Sequence, residues 1–244
     1  MRVRKKTWAK HELETNEKII RDAEAWRGRW QEYFNNDHPI YIEIGCGKGR
    51  FLQQNALAYP DINFVGVERD PTIVAAAARK LNETSANAAL ICGDAVNFAS
   101  FFAPGEADRL YINFCDPWPK KKWVKRRLTY KDFLERYKVL MGPGAEIFMK
   151  TDNRILFDSS LNSFVENGWL LKNISLDLHN SGYEGNIMTE YEERFSGEGY
   201  PIYRLEARWY PEVEAAVRKA RGEETAQSPE KAPVLDESAK NAAE

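Results

Sequence analysis

Four carboxylates punctuate the first half of this chain at near-regular intervals. Glu43, Glu68, Asp94 and Asp116 are spaced by 25, 26 and 22 residues, and each follows or ends a short apolar run. Those runs, Ile40–Ile44, Asn63–Val67, Ala88–Ile91 and Leu110–Cys115, have the length and composition of buried strands. Between them lie helix-period segments at Lys48–Ala58, Pro71–Leu81 (with proline in the first turn) and Ala95–Phe102. The rhythm continues with a helix over Tyr130–Leu140, a strand over Ala145–Lys150, a helix over Arg154–Glu166 and strands near Trp169–Leu178 and Ile202–Trp209. Strands alternating with helices require right-handed crossovers, hence an α/β fold built on a mostly parallel sheet with helices on both faces. The last two strands have no helical period between them, which predicts one antiparallel strand. In such a sheet ligands bind at the carboxyl ends of the strands, where all four carboxylates fall. A helix cap would explain any one of them, Asp94 included, but not the set.

Around this frame, residues 1–35 read as a basic arm (Arg2, Arg4, Lys5, Lys6, with Trp8) and a helix over 9–35, and residues 36–213 as one domain. Residues 222–244 are rich in Glu, Ala, Ser, Pro and Lys without aromatics, which predicts a disordered tail. The hydrophobic fraction of 43% suffices for one core of this size. No apolar run approaches the roughly 18 residues of a membrane helix, and no apolar segment backs the charged N-terminus, which argues against a secretory signal and for the cytoplasm. Cys46, Cys92 and Cys115 are odd in number and far apart. They read as reduced, buried thiols, without the spacing of a disulfide framework or a zinc site, and no metal site is expected. His11, His38 and His179 are scattered and receive no role.

The first strand runs into Glu43-Ile44-Gly45-Cys46-Gly47-Lys48-Gly49. Glycines here let the backbone turn tightly and let a ligand approach without meeting a Cβ. A dinucleotide fingerprint would carry its third glycine one residue later, where Arg50 stands, and the P-loop pattern G-x-x-x-x-G-K-[ST] is absent. The acidic residue ahead of the glycines suits a cofactor with a cationic end and no pyrophosphate, which favours S-adenosylmethionine over NAD. Glu68 is placed to accept ribose hydroxyls and Asp94 to meet the adenine edge.

Asp116-Pro117-Trp118-Pro119 leads directly into a run in which six of eight residues, Lys120 to Arg127, are basic. Cations neutralise phosphates and aromatics stack on unpaired bases, so this interleaving at the ligand-binding edge points to RNA. The net charge of −2 does not oppose it, because residues 212–244 contribute −3 and leave the rest at +1. The arm at Arg2–Lys6 is a second candidate RNA contact.

With these motifs in hand, the chain resembles the bacterial tRNA (guanine-N7)-methyltransferases, the TrmB family. The likeness lies in Glu43–Gly49, Gly66–Glu68, Gly93-Asp94, Asp116–Leu128, Thr151-Asp152-Asn153, and Thr189–Glu192 with Phe195, across most of residues 40–205. It departs at Lys122-Trp123-Val124, where the family usually has Arg-His, and in the C-terminal tail. The resemblance implies a Rossmann-like class I methyltransferase fold and methyl transfer from S-adenosylmethionine to guanosine N7 at position 46 of the tRNA variable loop. It implies cofactor contacts from Glu43, Gly45, Gly47, Gly49, Glu68, Asp94 and Asp116, with Asp116 catalytic. Lys120, Asp152, Thr189, Glu190, Tyr191 and Glu192 would meet the substrate, and Lys121, Lys122, Lys125, Arg126 and Arg127 the RNA. The expected partner is tRNA, bound by a monomer or homodimer. Against this stand methylation of an exocyclic base amine, suggested by the partial likeness of Asp-Pro-Trp-Pro to an Asp/Asn-Pro-Pro-aromatic loop, and a non-catalytic RNA-binding module.

Overall fold

The computed structural model describes residues 7–82 and 86–223. The basic cluster at Arg2–Lys6 and tail residues 224–244 lie outside the described residues. Eight strands form one sheet: β1 (Ile19–Ile20), β2 (Ile40–Ile44), β3 (Asn63–Glu68), β4 (Ala88–Cys92), β5 (Arg109–Asn113), β6 (Glu146–Thr151), β7 (Trp169–Ser175) and β8 (Tyr203–Trp209), in the order β1-β4-β3-β2-β5-β6-β8-β7. Every pairing is parallel except those of β8, which runs antiparallel to both β6 and β7. The strand order reverses beside β2, with β3 on one side and β5 on the other, and this is the switch point where an open α/β sheet makes its crevice.

Strand alternation sorts the side chains into two cores. Ile42, Ile44, Leu110, Ile112 and Ile147 face α5 (Phe98–Phe101), α6 (Lys131–Met141) and α7 (Arg154–Glu166), which contribute Phe98, Leu134, Tyr137 and Phe157. On the opposite face Phe64, Leu90 and Tyr111 pack under α3 (Arg50–Ala58) and α4 (Pro71–Leu81) through Phe51, Leu52, Val74 and Ala77. Each such fully buried side chain contributes roughly 1.5–3 kcal/mol. Asp70 caps α4, its carboxylate accepting the Thr72 and Ile73 N–H groups, and Pro71 fills the first turn.

The helix expected over residues 9–35 is broken. α1 (Thr7–Thr15) stops before Asn16, whose side chain accepts the Lys18 N–H and donates to Glu12. β1 then pairs with β4, a 3-10 turn covers Glu24–Trp26, Gly28 takes φ +78°, and α2 (Trp30–Phe34) follows. The apolar periodicity was genuine as a burial signal: Trp30 is fully buried, stacks on Phe102 and donates its indole N–H to the Phe101 carbonyl at 2.9 Å. Burial alone did not fix the element. Two further helices complete the described residues: α8 (Glu190–Gly197), between β7 and β8, and α9 (Pro211–Ala220). α9 is held by Glu214, which accepts the Trp209 indole N–H and pairs with Lys138 at 2.9 Å. No helix among the described residues is long and apolar enough to cross a membrane.

Candidate active site

At the carboxyl end of β2 the chain turns through Gly45, Gly47 and Gly49, with φ of +70°, +55° and +77°, where a side chain would be strained. A Cβ added to Gly45 or Gly47 would meet nothing within 4 Å, whereas one on Gly49 would lie 3.0 Å from the Ala77 Cβ. The first two glycines therefore leave open space above the turn, and the third lets α3 start against α4. Glu68 braces the turn from the end of β3: one carboxylate oxygen accepts the Gly47 N–H at 3.3 Å and the other the Asp70 N–H at 2.9 Å. Asp94 accepts the Val96 N–H at 3.1 Å and stands 3.9 Å from the Arg69 guanidinium, so it caps a 3-10 turn as well as lining the crevice.

These groups border one cleft of about 580 Å³, lined by Gly45, Glu68, Asp94 and Asp116 and walled by Ile44, Val67, Val96, Phe114, Leu128 and Phe133. Its size and its mixture of apolar wall and few carboxylates suit a small-molecule ligand. Glu43 lies one layer below. It is 2% exposed and does not line the cleft. Asn113, which does, donates to its Oε1 at 2.9 Å, while Oε2 has no hydrogen-bond partner. Burial pushes the Glu43 carboxyl up to about 8; the Asn113 hydrogen bond and the Lys150 charge oppose the rise, and Glu68 adds to it.

Beyond β5 the backbone is unusual. Phe114 and Trp118, neither a glycine, have φ of +53° and +40°, and between them Asp116 is exposed at the cleft rim. Such conformations persist only where the surroundings impose them. Lys121–Arg126 then form a six-residue 3-10 stretch without a buried residue. Trp118 and Trp123 meet edge to face at 5.8 Å. The Lys120 and Lys122 ammonium groups lie 5.0 and 5.1 Å from the Trp123 ring, and the Arg126 guanidinium 4.9 Å from Trp118. Lys125 and Arg126 themselves line the cleft beside Asp116.

Some expected site residues serve elsewhere. Arg127, expected to contact RNA, is 8% exposed and spends its guanidinium on the Pro117 and Trp118 carbonyls and on Ser159. Thr189 and Glu192, expected to meet substrate, form the capping box of α8, and Glu192 is wholly buried, accepting from Lys150 and Asn186. Glu190 pairs with Lys80. Tyr191 and Asp152 remain at the surface together: the phenol donates to the Asp152 carboxylate at 3.2 Å, and the ring stacks on Phe195 and touches Phe114, two residues before Asp116. Cys92 is exposed rather than buried. Sequence reasoning overlooked Asn113 and gave Lys150, at the end of its strand, no role of its own. Both are polar residues at inward strand positions, which is a usable signal. Burial holds the Lys150 ammonium below the usual lysine range, against the pull of Glu192 and Glu43.

A second cavity of about 210 Å³ lies on the α3 side of the sheet among Tyr41, Tyr111, Phe148 and Tyr183. Its Arg109 and Arg204 are paired with Glu146 and Glu206, and Lys150, which also lines it, with Glu192. Among the described residues no cluster of His, Cys, Asp and Glu could hold a metal ion.

The family described as "Putative methyltransferase" matches residues 37–205. A tRNA (guanine-N(7)-)-methyltransferase of Bacillus subtilis is 50% identical over 211 residues, covering 86% of this chain and 99% of that protein. One of a Geobacillus species is 48% identical over 218 residues, covering 88% and 99%. Among solved structures, the antibiotic-resistance methyltransferase Kmr aligns with a TM-score of 0.54 at 18% identity, covering 75% of this chain and 92% of that one. A 30S ribosomal A1408 methyltransferase from an uncultured bacterium aligns at 0.51 and 16%, covering 75% and 93%. The structural likenesses bear on the fold alone.

Proposed function

Since this chain belongs to the bacterial tRNA (guanine-N(7)-)-methyltransferase family, we propose that it transfers the methyl group of S-adenosylmethionine to N7 of a guanosine in tRNA, position 46 of the variable loop. The observation that carries this reading is that one cleft joins the glycine turn, Asp116 and the cationic 3-10 stretch.

The residues present fit the cofactor. The open space above Gly45 and Gly47 admits a ligand, and the Glu43 carboxyl beneath it, whose Oε2 has no hydrogen-bond partner, would accept from a cationic end on losing its proton. Each Glu68 oxygen uses one lone pair on a backbone N–H, which leaves the other for a ribose hydroxyl. Asp94, which lines the same cleft, would accept from the adenine edge. When bound, S-adenosylmethionine supplies an electrophilic methyl group on a sulfonium.

Guanine N7 has a lone pair and no proton, so no general base is needed at the methylated atom. The N7–carbon bond forms as the carbon–sulfur bond breaks, and the purine becomes cationic. Asp116 orients the base through its N–H edge and stabilises the developing charge. Trp118 or Tyr191 provides an aromatic face for the extruded base. Lys121, Lys122, Lys125 and Arg126 meet the RNA phosphates, and Lys120, Asp152, Glu190 and Tyr191 the nucleotide, while Thr189 and Glu192 hold α8 in place. Residues 36–213 act as the methyltransferase domain, in the cytoplasm, as a monomer or homodimer. The test is incubation of unmodified tRNA with labelled S-adenosylmethionine, digestion and nucleoside analysis. Label in 7-methylguanosine is expected. Label in an N-methylated exocyclic amine, or none, would overturn the reading.

A further inference from the structure

Arg127 closes the most cationic run of the chain, yet it is buried, with 8% exposure. Its Nε donates to the Pro117 carbonyl at 2.9 Å and its Nη2 to the Trp118 carbonyl at 3.2 Å, while Nη1 donates to Ser159 Oγ on α7 at 2.8 Å. No ion pair of Arg127 occurs among the described residues; all three acceptors are neutral. Burying a guanidinium is costly unless its donors are used, and the planar fork suits two adjacent carbonyls as a lysine ammonium does not. Those two carbonyls belong to the residues after Asp116, and Trp118 is one of the two non-glycine residues of this loop with positive φ. The following turn is fastened to the same helix, with Thr129 Oγ1 and Ser160 Oγ 2.7 Å apart and Ser163 donating to the Thr129 carbonyl. The cationic stretch Lys121–Arg126 is therefore spanned at its base by one side chain gripping the Asp116 loop on one side and α7 on the other.

We propose that Arg127 is a positioning residue for Asp116: it locks Trp118, two residues on, in its left-handed conformation and joins the RNA-facing stretch and the reacting rim into one rigid piece. The proposal rests on the methyltransferase reading above, and wild-type activity tests that reading separately.

The experiment compares wild type, R127K, R127A, S159A and K125A in single-turnover methylation at saturating tRNA, with tRNA affinity measured across a salt series and folding checked by thermal melting. A misplacement of about 1 Å near the chemistry costs about a hundredfold in rate. R127K, which keeps the charge but not the fork, is expected to lose rate on that scale while retaining tRNA affinity and its salt slope. S159A, which loses one of three bonds, should show a smaller loss of the same kind. Guanidinium ion added to R127A should restore part of the rate without tightening tRNA binding. K125A, by contrast, should lower the salt slope by about one. If R127A melts, R127K and S159A carry the test. The proposal is overturned if R127K keeps the wild-type rate, or if its salt slope falls as in K125A with the rate at saturation unchanged. Absent methylation by wild type would instead overturn the methyltransferase reading.

Discussion

Replacing Glu43 by glutamine separates a buried ionisable group from an isosteric one that cannot ionise. In the folded protein this carboxyl keeps its proton up to about pH 8, against 4.5 for an ordinary glutamate. Between those limits the folded chain binds one proton more than the unfolded chain, so raising the pH favours unfolding. The penalty is absent below the unfolded value, grows by about 1.4 kcal/mol per pH unit, and is complete above the folded one. By pH 7 it amounts to roughly 3 kcal/mol, a sizeable part of the 5–15 kcal/mol typical of a domain. Glutamine retains an oxygen for the Asn113 donor and carries no charge to desolvate. Urea unfolding of both proteins without ligand at pH 5, 6, 7 and 8 should show E43Q gaining on wild type, from about 1 kcal/mol at pH 5 to about 3 at pH 7. The same proton must leave when a cationic ligand engages the carboxylate. Wild-type affinity for S-adenosylmethionine should therefore rise with pH up to about 8, and that rise should be missing in E43Q. A gap between the unfolding curves that stays constant across pH would refute the assignment of a buried, protonated Glu43.

D116A should lower methyl transfer by about 10²–10³-fold, the scale for losing one preorganised electrostatic group, while cofactor binding by equilibrium dialysis survives; turnover near wild type would remove Asp116 from the reaction. Simultaneous K121A, K122A, K125A and R126A should weaken tRNA binding and reduce the slope of log K against log salt by about 3; an unchanged slope would exclude the stretch as the phosphate contact. G49A forces a side chain into φ +77° with its Cβ 3.0 Å from Ala77. It should cost about 1–2 kcal/mol and lower Tm by a few degrees, and a melting curve that matches wild type would show that the turn relaxes freely.

The central sheet was legible because burial there is two-sided, and apolar runs such as Ile40–Ile44 and Asn63–Glu68 leave a signal independent of the rest of the chain. Glu68, Asp94 and Asp116, which line the cleft, stand out for a related reason, since charge at the end of such a run is conspicuous. What no local pattern separates is a polar residue that faces the cleft from one that faces the protein. Arg127 differs from Arg126 by one position in a cationic run, yet only the latter lines the cleft. The difference comes from the Pro117 and Trp118 carbonyls and from Ser159, 32 residues away on α7, which no local pattern encodes. Thr189 and Glu192 likewise match a capping box as well as a substrate motif, and both readings use the same spacing. The break in the first 35 residues was missed because Trp30 and Ile20 are buried on helical spacing, although different elements bury them.

β8 is the last strand made and is wedged between two made earlier. The ribosome therefore delivers β2 to β5, and then the cleft residues as far as Phe133, before the far half of the sheet can zip up. β7 has no partner until residues 203–209 arrive to separate it from β6. The loop that carries Tyr191 stays untethered at its far end until then. During synthesis the glycine turn and the Lys121–Arg126 stretch are therefore both made before the strand that completes the sheet.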